Sequence, residues 1–262
     1  MQMQELSAGH GVLTAVRTGA GRDIVVLHSL LADRKAFDPV LPALAAKHRV
    51  TLFNLPGFHG SEPVVSALLD AYVARIEDGF QEFGIDKDAI LIGNGFGGTL
   101  ALAFALDHPE RIAKLVVSDA AAGFPDEGRK AFAVMAQKVA EDGLGAVAEI
   151  AAKRVYSPNY LAANPSLVEE RENVLLGIDP KAFADACKIL QQVDLVPLLH
   201  RLRVPTLVVC GEFDQATPPA LTRMVADKIA GARYVELSGC GHCPPLEQPE
   251  AFLEAIREFV GS

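Results

Sequence analysis

At 262 residues, half of them hydrophobic, the chain is long enough for one large domain with a sizeable buried core and room for an inserted subdomain. A formal net charge of −9 gives a surface that repels phosphate backbones, and no run of Lys or Arg interrupts it, so nucleic acid is not an expected partner. The N-terminal "MQMQELSAGHG" has no basic region followed by an apolar one, and no apolar run approaches the roughly 20 residues of a membrane helix, so a soluble, cytoplasmic protein with no membrane partner is expected.

Strand-like and helical runs alternate along most of the chain, which predicts an α/β fold with a mostly parallel central sheet flanked by helices. "VLTAVRTG" and "RDIVVLH" read as an opening pair of strands joined through Gly19-Ala20-Gly21. A helix over about Arg34 to Lys47 leads into "HRVTLFNL"; "DAILIG" and "AKLVVSD" follow further helices. Between about Ala121 and Arg203 the alternation stops. Several helices are predicted there, in "EGRKAFAVMAQKVAEDG", "GAVAEIAAKRVY", "PSLVEERENVLLG" and "PKAFADACKILQQVDLVPLLHRL", because apolar residues such as Phe132, Met135 and Val139 recur at helical spacing. "VPTLVVCG" and "ARYVELSG" complete the strands. The unbroken apolar character of "IVVLH", "ILIG", "LVVS" and "TLVVC" suits strands buried on both faces. The division this implies is a core of residues 1–120 and 204–262 and a helical cap of residues 121–203.

In a doubly wound sheet ligands collect beyond the carboxyl ends of the strands. Four such places carry candidate chemistry: Ser29 and Leu30 after "IVVLH", Gly93-Asn94-Gly95-Phe96-Gly97 after "ILI", Asp214 after "LVVCGEF", and His242 after "YVELSGCG". The glycine-rich turn has the outline of a G-x-S-x-G nucleophile elbow with Gly95 at the serine position, and the acid and histidine follow it in the order nucleophile, acid, base. His242 would move protons near neutral pH, and Asp214 would hold its other ring N–H and fix the tautomer. The plainer readings are a helix cap before "PPALTRMVADKI" for Asp214 and a buried, backbone-satisfied ring for His242. The amides of Leu30 and Phe96 are placed to receive a developing oxyanion, and neither depends on a side chain.

Over essentially its whole length the sequence resembles the α/β-hydrolases. The motifs "LPGFHGSEP", "GNGFGG", "VPTLVVCGEFDQATPP" and "GCGHCPPLEQPEAFLEAIREF" fall in family order and spacing. Within that superfamily the chain is similar to 3-oxoadipate enol-lactonases and related small-ester hydrolases, with "HSLLADRKAFDPVLPAL" resembling their oxyanion segment and "YSPNYLAANPSLVEERENVLLGIDPKAFADACKILQQVDL" their helical cap. It departs from them in having no tryptophan, with Phe37 where such lactonases often carry one, and in Gly95. The resemblance implies a hydrolase of a small carboxylic ester or enol-lactone, with a small-molecule substrate and no metal or organic cofactor. Hydrolysis of a carbon–carbon bond in a ring-cleavage product is the alternative within enzymes, and a non-catalytic ligand receptor is the alternative outside them.

Glycine is the most comfortable residue for the elbow, where a Cβ is tolerated only under strain of about 1–3 kcal/mol. Three explanations of Gly95 stand open: an active enzyme disarmed by substitution, a natural binder without turnover, or direct activation of water by His242. Ser29, Ser61, Cys240 and Cys243 are the other nucleophiles near the expected site, with Cys243 the most reactive type; none occupies the elbow, and rescue by them is not expected. Cys187, Cys210, Cys240 and Cys243 read as reduced thiols, and "CGHC" lacks the second ligand pair a tetrahedral zinc needs. Lys153, Arg154 and Arg171 are available to an acidic substrate beneath the cap.

Overall fold

In the computed structural model of the protein, residues 4–7 and 11–261 are described. Their strands are β1 Gln4–Ser7, β2 Thr14–Gly19, β3 Arg22–Leu27, β4 His48–Phe53, β5 Ala89–Asn94, β6 Ile112–Ser118, β7 Thr206–Gly211 and β8 Arg233–Leu237. All lie in one sheet, in the order β1-β2-β4-β3-β5-β6-β7-β8. The β1/β2 and β2/β4 pairs are antiparallel, and every pair from β4 across to β8 is parallel. β5 and β7 are buried at every residue, as their unbroken apolar runs require of strands covered on both faces.

Two local expectations change. β2 and β3 follow each other in sequence but are not sheet neighbours, because β4 lies between them and pairs with both. The helix expected over 34–47 is a 3₁₀ turn at Arg34–Phe37 followed by a short helix, α1 Leu41–Ala45. Pro39 and Pro42 cannot donate the backbone hydrogen bonds that one continuous helix would need. Strand β1 carries no signal of its own in the sequence and was not anticipated; its pairing with β2 creates it.

The order β4-β3-β5 positions the site. From β3 the chain moves outward to β4, then returns through α2 Leu69–Glu82 to place β5 on the other side of β3. The connections diverge at β3 and β5, so a crevice opens beyond their carboxyl ends. Helix α3 Phe96–Asp107 starts there, and its first ten residues are buried under the sheet. The close approach needs Gly97, where an added Cβ would lie 2.3 Å from the Leu27 carbonyl oxygen.

Between β6 and β7 the chain forms α4 Asp126–Asp142, α5 Ala148–Val155, α6 Pro158–Ala163, α7 Leu167–Leu175 and α8 Pro180–Gln192. α4 packs on α8 and α5 on α7. The segment leaves and returns at one point: Gly123 bridges Asp194, and the Leu195 amide donates to the Ala122 carbonyl at 2.7 Å. The long helix expected from Pro180 onward stops at Gln192 and resumes as a 3₁₀ segment, Val196–Arg201. α9 Pro219–Lys228 follows β7, and α10 Pro244–Glu247 and α11 Pro249–Val260 close the chain beyond β8. Among the described residues no helix is long and apolar enough to cross a membrane.

Candidate active site

Gly95 sits between β5 and α3 at φ 57° and ψ −121°, in the left-handed region that admits glycine without a Cβ penalty. Its amide donates to the Ser118 carbonyl at 3.0 Å, and the Gly97 amide to the His28 carbonyl at 3.0 Å. The Phe96 amide between them belongs to the first turn of α3, where a helix offers no internal acceptor. The other expected donor, the Leu30 amide, stands in the β3 loop across the crevice. Asn94 ties the turn to the histidine loop, because its Nδ2 donates to the His242 carbonyl at 2.9 Å.

His242 and Asp214 meet. Nδ1 of the buried imidazole lies 3.0 Å from Asp214 Oδ2, whose residue is also buried. Since a carboxylate only accepts, Nδ1 carries the proton and Nε2 presents a lone pair. The helix-cap expectation for Asp214 is corrected: the N-cap of α9 is Pro218, and Asp214 instead closes the turn before it, Oδ1 accepting from the Ala216 and Thr217 amides at 2.7 and 2.9 Å while Oδ2 faces the ring. Thr217 Oγ1 also donates to Oδ2 at 2.6 Å. The histidine loop is fastened to the helical segment, with the His242 amide donating to the Val155 carbonyl at 3.0 Å and Glu247 accepting from the Ser157 and Gly241 amides.

The other face of the ring is occupied by Ser29, which the sequence placed in the oxyanion segment and from which rescue of the nucleophile was not expected. Ser29 Oγ lies 3.0 Å from His242 Nε2, across 213 positions of chain. Given the tautomer, the hydroxyl donates to the ring. A Cβ added at Gly95 would stand 2.3 Å from this Oγ, 2.8 Å from Ser29 Cβ and 2.7 Å from His242 Nε2. The serine hydroxyl therefore fills space that an elbow side chain would claim.

Other candidates are drawn off. Cys243 is fully buried, its thiol donates to Asn94 Oδ1 at 3.4 Å, and burial pushes it up to about 12, which removes the thiolate a nucleophile needs. Burial also raises Cys240, and all four cysteines are free and buried. The two ring nitrogens of "CGHC" face Asp214 and Ser29. Ser61 Oγ donates to the Asn54 carbonyl at 2.7 Å, holding a loop beside β2. The group of donors that does converge among the described residues is Asp119, Cys210 and Asp214, within 4.8 Å of one another. It fits a metal poorly, because the Cys210 thiol is pushed up by burial and the carboxyl oxygens are engaged by protein donors.

Asp119 and His28 were not anticipated, because the sequence marks them only as strand-end residues. Asp119 directly follows β6 at φ 49°, accepts from the Gly211 amide at 2.7 Å, and is held well above the usual carboxylate range by burial and by the neighbouring charge of Asp214. His28 accepts from the Leu55 amide at Nε2 (3.0 Å), so its Nδ1–H donates to the Ser29 carbonyl (2.9 Å) and fixes the backbone of the loop. Burial lowers His28 from 6.5 to about 4. The unfolded chain takes up that proton as pH falls through about 6.5 and the folded one resists until about 4, so stability is expected to decline across this window by up to about 3 kcal/mol and then level off. Melting curves of the parent and His28→Gln between pH 7 and 4 check this: the variant should lose stability less steeply, and equal slopes would refute it.

A cavity lies over these groups. Ser29, Leu30, Gly95, Phe96 and His242 line its floor, while Phe124, Phe132, Met135 and Leu190 from the helical segment line its apolar upper wall. Of the cations considered in the sequence, Arg154 lines the cavity, Lys153 pairs with Glu149 at 2.6 Å, and Arg171 is buried against the Tyr156 ring.

The profile of the Alpha/beta hydrolase family matches residues 24–255. Pimeloyl-[acyl-carrier protein] methyl ester esterase of Aeromonas hydrophila is 28% identical over 259 residues, covering 94% of this chain and 98% of that protein. 3-Oxoadipate enol-lactonase 2 of Acinetobacter baylyi is 30% identical over 172 residues, 66% of this chain and 63% of the relative. Among solved structures, the enol-lactonase from Burkholderia xenovorans superposes with a TM-score of 0.91 at 26% identity, covering 98% of this chain and 99% of that one, and a thermophilic esterase from Thermogutta terrifontis with 0.87 at 27%, covering 99% and 98%. With that sheet order, that strand-to-helix turn and a family match spanning most of its length, the chain belongs to the α/β-hydrolase family.

Proposed function

We propose that the protein hydrolyses a small carboxylic ester or lactone in the cavity above Gly95, with residues 121–203 acting as a cap over a core of residues 1–120 and 204–262. The observation that carries this reading is the buried Asp214–His242 pair, whose other ring nitrogen, Nε2, faces Ser29 and the Gly95 turn under an apolar roof. His242 serves as general base, taking a proton at Nε2 from the attacking oxygen and returning it to the leaving alkoxide. Asp214 orients the ring and stabilises the imidazolium. The Leu30 and Phe96 amides receive the oxyanion, each in a site screened from bulk water. The enol-lactonase and methyl ester esterase among its relatives act on this class of bond, as their names state.

A hydrolysis screen of the parent protein against short-chain aryl esters and enol-lactones, with His242→Ala as control, tests the reading. Turnover that His242→Ala abolishes is the expected result; ligand binding without any turnover would favour a receptor instead. Arg154 supports a substrate with an acidic group. Arg154→Ala is expected to raise KM for carboxylate-bearing esters about tenfold, the size of a charge-assisted contact worth about 1.4 kcal/mol, while leaving KM for neutral esters within about twofold. Equal shifts for both would remove Arg154 from substrate recognition.

A further inference from the structure

We propose that Ser29 is the nucleophile of this site, so that the attacking hydroxyl has moved from the elbow to the β3 loop. The inference rests on the ester or lactone reading for its substrate, but its geometry stands apart from it. A nucleophilic hydroxyl needs a base within about 2.6–3.2 Å and a third group that orients the base. Ser29 Oγ, His242 Nε2–Nδ1 and Asp214 Oδ2 form that chain with both links at 3.0 Å.

Three further features agree with it. Ser29 lines the cavity, so a bound carbonyl can reach its oxygen. Its backbone is held by His28, which donates to its carbonyl at 2.9 Å, and by the Ala32 amide at 3.3 Å on the same oxygen. In a conventional elbow the oxyanion donor is the amide of the residue after the nucleophile; Leu30 stands in that relation to Ser29, with the Phe96 amide opposite. Glycine at position 95 is then a requirement of the site, since any Cβ there would overlap the Ser29 hydroxyl at 2.3 Å.

The steps balance. Ser29 Oγ bonds to the carbonyl carbon as its proton passes to His242 Nε2, and the carbonyl oxygen becomes the oxyanion. The bond to the leaving oxygen breaks, that oxygen takes the proton from the imidazolium, and an acyl-Ser29 ester remains. Water then gives a proton to Nε2 and its hydroxide adds to the acyl carbon. The carbon–Oγ bond breaks, Oγ recovers the proton, and the acid leaves.

Ser29 is the single hydroxyl residue in the tryptic peptide from Asp23 to Arg34, which makes the test direct. The protein is treated with a serine-directed fluorophosphonate and mapped by mass spectrometry, and hydrolysis of 4-nitrophenyl acetate is followed in parallel. One adduct per chain on that peptide is expected, absent in Ser29→Ala and formed at least a hundredfold more slowly in His242→Ala. Ester hydrolysis in Ser29→Ala should fall by on the order of 10³ or more, given that loss of a hydrolase nucleophile can cost about 10⁶. Ser29→Cys should recover a burst of nitrophenol and provides the check if Ser29→Ala does not fold. Hydrolysis that survives in Ser29→Ala but not in His242→Ala overturns the nucleophile and keeps the ester reading. An adduct on Ser29 with no ester or lactone turned over keeps the nucleophile and overturns that reading. No adduct and no burst in Ser29→Cys overturns the proposal.

Discussion

Asp214→Asn is expected to lower kcat/KM for ester hydrolysis by about 10⁴, the scale seen when a triad carboxylate is neutralised without loss of shape. The hydrogen bonds around the side chain explain why. Oδ1 accepts from the Ala216 and Thr217 amides, so an asparagine must keep its carbonyl oxygen on that side. Its NH₂ then takes the place of Oδ2 and points at His242 Nδ1, which must accept rather than donate. The ring is driven into the Nε2–H tautomer, and that nitrogen can no longer take a proton from the hydroxyl it faces. Thr217 Oγ1 also loses its acceptor at Oδ2. Steady-state kinetics with His242→Ala as the floor measure the effect; a loss smaller than about tenfold would mean that the pair is structural.

The second large effect concerns the elbow. Gly95→Ser alone is expected to lower stability by about 1–3 kcal/mol, because φ 57° strains a residue with a Cβ. The new Cβ would also press on Ser29 Oγ, Ser29 Cβ and His242 Nε2, at 2.3, 2.8 and 2.7 Å. Oγ can rotate away and the imidazole can tilt, but Ser29 Cβ is fixed to a backbone that His28 holds. Two hydroxyls would then compete for one ring lone pair. Removing the obstacle with Gly95→Ser/Ser29→Gly should open the elbow to its own serine and exceed either single variant by at least about a hundredfold in kcat/KM, a coupling of the kind that contacting residues show. A double-mutant cycle in activity and melting temperature checks this. If Gly95→Ser alone reaches the rate of the double variant, Ser29 does not obstruct the elbow.

Much of this architecture was legible in the residues. The strands declared themselves as unbroken apolar runs because strands covered on both faces have no polar side to show, and β5 and β7 are buried throughout. The elbow and Asp214 were legible because each follows such a run, and His242 because it follows the last strand in a Gly-rich loop, where the parallel sheet gathers its loops. The meeting of Asp214 and His242 at 3.0 Å depends on a sheet order that the alternation of elements does not give. Even the emptiness at position 95 was readable, since only a side chain was missing from an otherwise intact turn.

Tertiary structure decided the rest, and the reason is common to each case. Which hydroxyl faces His242 depends on loop geometry at the switch between β3 and β5, and Ser29 reaches the ring across 213 positions with no local pattern to announce it. The raised proton affinity of Asp119 depends on burial and on the charge of Asp214, which becomes its neighbour only after β6 and β7 have paired. The same holds for Cys243, whose reactivity is decided by a fully buried site against Asn94 and not by its place beside a histidine in the chain. Local patterning sets periodicity and strand ends, because neighbours in the chain share a backbone; hydrogen-bond partners and proton affinities belong to groups that become neighbours only through packing.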